Sequence, residues 1–158
     1  MVAINRDKVK AFLASDRKTY KGLEKENLRT DLEGRISGSK FPSDLGSHHF
    51  NRYITLDYSE PHFEIVTPPF EDNLTLLKFL KDLHLYLEQQ IENDFLWNYS
   101  MPPKFKKKYI TLPSSGDINK SKLAYLYRLG LRNRYGDKMQ STAGIHFNTV
   151  SYTHLRAH

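Results

Sequence analysis

The chain has 158 residues, a formal net charge of +6, 10 Tyr and 9 Phe, and no Cys. That length supplies one ordinary core but not comfortably two, and the missing thiols exclude disulfides, thiolate metal sites and a cysteine nucleophile, so any metal must be held by carboxylate and imidazole. No run approaches the roughly 18 apolar residues of a membrane span, and the opening VAINRDKVKAFLAS is broken by charges where a signal peptide needs an apolar stretch, so a cytoplasmic chain without a membrane partner is expected.

Residues 7–14 carry Val9, Phe12 and Leu13 at helical spacing and predict a short amphipathic helix. In YKGLEKENLRTDLEGRIS the DLEG turn signal separates two candidate strands. On an extended chain Gly22, Glu24, Glu26 and Leu28 share one face, so the two carboxylates stand roughly 6.5–7 Å apart and point the same way. Taken alone, this segment reads as a surface strand neutralised by Lys25 and Arg29. Residues 37–51 are rich in Gly, Ser, Pro and His and read as a loop, with His48 and His49 too close in sequence to share a strand face.

The stretch YITLDYSEPHFEIVTPP alternates twice. Ile54, Leu56 and Tyr58 face one way and Tyr53, Thr55 and Asp57 the other; then Phe63 and Ile65 oppose His62 and Glu64, before Pro68 and Pro69 stop the strand. Residues 71–91 form the clearest helix, with a core-facing stripe of Leu76, Leu80, Leu83 and Leu87 widened by Phe79 and Tyr86, and with His84 as a structural histidine. Residues 93–109 read as an irregular link, and their run Lys104, Lys106, Lys107 and Lys108 as a solvated loop. No zinc-finger, RRM or helix-turn-helix pattern accompanies it, so no nucleic-acid partner is expected, although a basic nucleic-acid-binding module is the alternative that charge alone supports.

A second helix is predicted over residues 119–134, with Leu123, Tyr127, Leu131 and Arg134 on one face and Arg128 and Arg132 as a neighbouring basic stripe. Residues 142–148 alternate again, Ala143, Ile145 and Phe147 against Thr142, Gly144, His146 and Asn148. Four candidate strands thus each present an acid or imidazole opposite an apolar face. If they are neighbours in one sheet, about 4.8 Å apart, those groups converge within reach of divalent ions. Clustered carboxylates repel unless cations compensate, and oxygen-rich sites favour Mg2+ or Mn2+, which typically serve phosphate chemistry. There is no Walker loop and no kinase glycine-rich loop, so the ATP-binding residues are not assigned.

The blocks GLEKENLR at 22–29, LGS at 45–47, YITLDYSEPHFEIVTPP, LKDLH at 80–84, LWNYSMP at 96–102, YRLGLRNRYG at 127–136 and MQSTAGIHFN at 139–148 closely resemble, in order and spacing, glutamate-cysteine ligase of the bacterial type. The resemblance implies an α+β, glutamine synthetase-like fold with a curved antiparallel sheet. It also implies ATP-dependent joining of the glutamate γ-carboxylate, through γ-glutamyl phosphate, to the amine of cysteine. It assigns Glu26, Asp57 and Glu64 to one Mg2+ and Glu24 and His146 to another, and Tyr58, Tyr127, Leu131 and Gln140 to the cysteine pocket. The ligase half of a bifunctional glutathione synthetase, or another carboxylate-amine ligase, is the alternative within the same superfamily.

Two departures bear on those expectations. The loop SSGDINKSKLA keeps Gly116 and Asn119 of the family pattern but differs at Ser115, Ile118, Ser121 and Ala124. The family's catalytic domain is longer, and VSYTHL looks like a translated sequencing adapter. Residues 1–148 are therefore expected to be the N-terminal part of the catalytic domain, inactive by itself, and 149–158 a non-native tail.

Overall fold

The computed structural model describes residues 5–14, 18–104, 110–113 and 116–151, without the side chains of Phe12, Leu13 and Ser151. Lys106, Lys107, Lys108, Ser115 and residues 152–158 lie outside the described residues. Five strands, β1 (Thr19–Thr30), β2 (Ile54–Leu56), β3 (His62–Val66), β4 (Phe95–Trp97) and β5 (Ile145–Ser151), are joined by helices α1 (Arg6–Leu13), α2 (Asn73–Gln90) and α3 (Asn119–Met139). The pairings are all antiparallel, in the order β2-β3-β1, with β4 and β5 both on β1. The expected α+β class with an antiparallel sheet is borne out.

The long β1 organises everything else. Lys25 pairs with Ile65 of β3 and with Ile145 of β5, and Leu28 with His62 of β3 and with Trp97 of β4. One edge of β1 therefore belongs to β3, while β5 and β4 share the other in tandem. Register then divides the side chains, because paired residues in antiparallel strands point to the same face. Phe63 and Ile65 of β3 and Ile54 and Leu56 of β2 lie on the face covered by α2, where they form a core with Leu87, Ile91 and Leu96, and with Leu80 and Leu83 packed against it. The leucine stripe of α2 is thus as the spacing predicts. The helix starts at Asp72, whose carboxylate accepts the Thr75 N–H at 2.6 Å, satisfying one of the four free donors of a helix N-terminus.

Lys25 also lies on this face, where burial lowers its pKa to about 8 while Glu88 opposes the shift. Its ammonium is satisfied by Asn27 Oδ1 at 2.7 Å, Asn98 Oδ1 at 2.8 Å and His84 Nε2 at 3.0 Å. His84, expected to be structural, has its pKa lowered to about 4 by burial and by that ammonium.

Four readings of the sequence need correction. Of the second candidate strand, after the DLEG turn, only isolated bridges form, Thr30 with Ile36 and Arg35 with Lys104. The link at 93–109 contains β4, because Trp97 and its neighbours complete the edge of β1 that β5 leaves open. The second helix runs five residues further than predicted, bending at Gly136, whose φ of 78° favours glycine, so that Asp137 turns inward. Finally, the residues that share one face of α3 do not share one environment: Leu131 packs against a core cluster, whereas Leu123 and Tyr127 do not. Leu123 and Tyr127 are 70% and 67% exposed, while Arg128 and Arg132 of the basic stripe reach main-chain carbonyls. Arg128 donates to the carbonyls of Leu56 and Asp57 at 2.7 Å each, and Arg132 to that of Ile110 at 2.7 Å. Main-chain carbonyls that leave a sheet need donors, and a guanidinium can supply two from one side chain.

A buried ion pair ties the far end of β1 to the turn after α2. Arg29, with 2% of its side chain exposed, lies 3.1 Å from Asp94, 8% exposed, and also donates to the carbonyls of Ser39 and Lys40. Removing one member strands the other charge in the interior. Asp94→Asn is expected to lower stability by about 3–5 kcal/mol in urea melts, against less than about 0.5 kcal/mol for Lys81→Ala on the exposed side of α2.

Candidate metal centre

The face of the sheet opposite α2 carries the acids. Glu26 pairs directly with Glu64 across β1 and β3, and Glu24 with His146 across β1 and β5. Thr55 stands beside Glu64 on β2. Asp57 is no longer in the strand. It opens the 57–61 turn between β2 and β3, where its N–H donates to the His62 carbonyl at 3.0 Å and the His62 N–H to the Ser59 carbonyl at 2.9 Å. That turn brings Asp57 back beside the start of β3, and Arg128 grips its carbonyl from α3.

All five acids and imidazoles expected to hold metal are therefore brought together. His146 Nδ1 lies 3.3 Å from Glu24 Oε2, and its Nε2 lies 3.9 Å from Glu26 Oε1. The other oxygen of Glu26 accepts the Gly144 N–H at 2.8 Å, and the Glu26 N–H donates to the Gly144 carbonyl at 2.9 Å, which anchors this carboxylate to the entry of β5. Glu64 records the crowding: burial, then the charges of Asp57, Glu24 and Glu26, push its pKa up to about 7, while His146 pulls the other way. Like charges this close cannot all ionise comfortably without a cation. The hard oxygen donors, partly buried and mutually repelling, fit a divalent ion such as Mg2+ or Mn2+.

His62 joins this group, although sequence reasoning did not select it. One ligand atom each of Glu26, Asp57 and His62 lie within 4.8 Å of one another. The signal was visible: His62 precedes Glu64 by two positions and so shares its face. What could not be read from the sequence is its burial, which pushes the imidazole towards its neutral form against the pull of Asp57 and Glu26.

The residues expected to line a small-molecule pocket are less unified. Tyr58 is buried in a second cluster with Leu28, Ile36 and Ile110, and Leu131 of α3 packs against it. The Tyr58 hydroxyl donates to Asp137 Oδ1 at 2.6 Å, and burial followed by that carboxylate pushes the phenol up to about 12. Arg132 holds the same Asp137 oxygen at 2.7 Å. Gln140 lies just after α3, its backbone near the His62 ring. Tyr127 points out from α3. Among the described residues no helix is long and apolar enough to cross a membrane.

Comparison with known proteins agrees with the fold. A family model described as glutamate-cysteine ligase matches residues 3–156. The glutamate-cysteine ligase of Wigglesworthia glossinidia brevipalpis is 39% identical over 133 residues, covering 84% of this chain and 26% of its own length. A crystal structure of glutamate-cysteine ligase from Francisella tularensis in complex with AMP superimposes with a TM-score of 0.84 at 30% identity, covering 87% of this chain and 28% of that one. A bifunctional glutathione synthetase from Pasteurella multocida gives a TM-score of 0.74 at 26% identity, over 83% of this chain and 17% of that one. The chain thus spans about a quarter of the length of the curated relatives it matches.

Glu64 yields a test of the crowding. Because its folded pKa lies above the ordinary carboxylate value, the proton it holds stabilises the fold below about pH 4.5, and that contribution is lost as pH rises through about 7. Without divalent cations, Glu64→Gln is expected to raise stability at pH 8 by about 1–2 kcal/mol after allowance for solvent screening. The gain should vanish below about pH 4.5. Thermal melts at the two pH values read it, and equal melting temperatures at pH 8 would contradict the repulsion.

Proposed function

The chain belongs to the glutamate-cysteine ligase family, and from that premise we propose that it supplies the metal-binding wall of an active site that joins glutamate to cysteine at the expense of ATP. The observation that carries this reading is the convergence of Glu24, Glu26, Asp57, Glu64 and His146 on one sheet face. In the proposed reaction the γ-phosphoryl group of ATP passes to the γ-carboxylate of glutamate, releasing ADP. The amine of cysteine then forms the amide and expels phosphate. Such chemistry gathers negative charge from the triphosphate and the carboxylate in one place. Divalent cations supply the neutralisation of that charge when bound.

The chain's own residues have distinct parts. Glu26, Asp57 and Glu64 would hold one Mg2+ or Mn2+, and Glu24 and His146 a second. The Gly144 N–H fixes the orientation of the Glu26 carboxylate, so its free lone pairs point consistently into the site. Arg128, through the Asp57 carbonyl, holds the turn that aims the Asp57 carboxylate. Tyr58, Tyr127, Leu131 and Gln140 are proposed to line the cysteine pocket. Of these, Tyr58 is held rigid by Asp137 and Leu131 packs on the same cluster, a pre-organised wall of the kind that reduces the entropic cost of binding. A cytoplasmic location, where ATP and free cysteine are available, belongs to the same reading, as does the non-native character of residues 149–158, of which 149–151 pair with β1.

The test is turnover of the intact protein with ATP, glutamate, cysteine and Mg2+, followed by mass spectrometry of γ-glutamylcysteine and ADP. Glu26→Gln and His146→Ala are each expected to lower turnover at least about 10–100-fold, the range for loss of metal-site groups. Unchanged kinetics in both would overturn the assignment. The likeness to the Pasteurella multocida protein favours a second reading, the ligase half of a bifunctional enzyme. Added glycine separates the two, because only the bifunctional form would carry the product on to glutathione.

A further inference from the structure

His62 is a buried imidazole of the acidic face whose position the metal assignment above does not use. Its side chain is 0% exposed, and neither ring nitrogen makes a hydrogen bond of normal geometry; the Gln140 backbone lies close enough only to favour a protonated ring. A buried polar group left in that state costs on the order of 1–3 kcal/mol, so the site is built for a partner. The two nitrogens face two carboxylates from the metal set. Nδ1 lies 3.5 Å from Asp57 Oδ2 and Nε2 lies 3.9 Å from Glu26 Oε2, both too long for good hydrogen bonds.

An imidazole meets a given ion through one nitrogen, so a cation shared with both carboxylates would take one of the two ring nitrogens as its ligand. Ligand atoms of Glu26, Asp57 and His62 stand within 4.8 Å of one another, and an ion about 2.0–2.2 Å from each needs only slight closure. The donor set also carries chemical information. Mg2+ takes oxygen ligands and keeps several waters, whereas imidazole suits first-row transition ions, whose affinity for nitrogen rises along the Irving–Williams series. We propose that His62 is a nitrogen ligand of the cation held by Glu26 and Asp57, and that it gives this subsite a preference for Mn2+ and related transition ions over Mg2+. The inference rests on the reading that Glu26 and Asp57 hold a cation, and it deepens that reading by naming the class of ion.

Calorimetric titration of the intact protein with Mn2+ and with Mg2+, joined to electron spin-echo measurements on the Mn2+ form, tests it. Because His146 brings a second imidazole nearby, the spin-echo experiment is done on His146→Ala, where any remaining 14N coupling to Mn2+ belongs to His62. The expected results are 14N coupling in His146→Ala, and at least about tenfold weaker Mn2+ binding in His62→Leu with Mg2+ binding changed less than about threefold. The spin-echo readout leaves His62 itself intact, so it holds even if His62→Leu folds poorly. Mn2+ binding to His146→Ala that Asp57→Asn abolishes, without 14N coupling and without a change on adding His62→Leu, would overturn the proposal while leaving the cation site standing. If neither ion binds, or if binding to His146→Ala survives the further change Asp57→Asn, the cation-site reading falls and the proposal with it.

Discussion

Repulsion among carboxylates is the constraint on which this structure turns. Pairing register delivers Glu24, Glu26 and Glu64 to one face of a single sheet, the 57–61 turn brings Asp57 beside them, and the raised pKa of Glu64 records what that proximity costs. A fold that needed only stability would separate them, since replacing a crowded acid on a strand is easy and mutations that relieve strain are common. Their retention on one surface is intelligible when a cation completes the site.

The rest of the molecule divides around that surface. The opposite face of the sheet is ordinary core, built by α2 on Ile54, Leu56, Phe63 and Ile65. Polar groups there are drawn into local contacts, with the Lys25 ammonium meeting three acceptors at 3.0 Å or less. The acidic face is treated differently. Its turn at 57–61 is held from outside by Arg128, and its neighbour Tyr58 is locked by the Asp137–Arg132 pair at the bend of α3. Rigid support around under-neutralised acids is how a protein fixes ligand positions before the ligand arrives. The imidazole of His62, buried without a good partner between Glu26 and Asp57, extends the same logic from oxygen to nitrogen donors.

Much of this was legible in residue patterns, for reasons that differ from element to element. Period-two alternation marked β2, β3 and β5, because a half-buried strand must separate apolar from polar side chains. The leucine stripe marked α2 because a helix one face of which meets a core must repeat near 3.6 residues. The environment of α3 was not legible because Arg128 and Arg132, beside the inward Leu131, make main-chain contacts. A pattern built on hydrophobicity cannot see a guanidinium that satisfies carbonyls at a strand end. Likewise β4 is three residues long, too short for periodicity, and exists only because β1 has an open stretch of edge beside Leu28 to Thr30.

The sequence by itself determined which residues could hold a divalent ion. Without cysteine only carboxylates and imidazoles remain, and alternation placed Glu24 with Glu26, Asp57 apart from Leu56, Glu64 with His62, and His146 opposite Ile145. Tertiary structure decided which of those residues meet. Pairing register set Glu26 against Glu64 and Glu24 against His146, and a one-residue slip would have sent each partner to the other face. It also decided the fate of His62. An alternating pattern assigns a side chain to a face but not to a depth, and only the closing of the 57–61 turn buried that ring between two carboxylates.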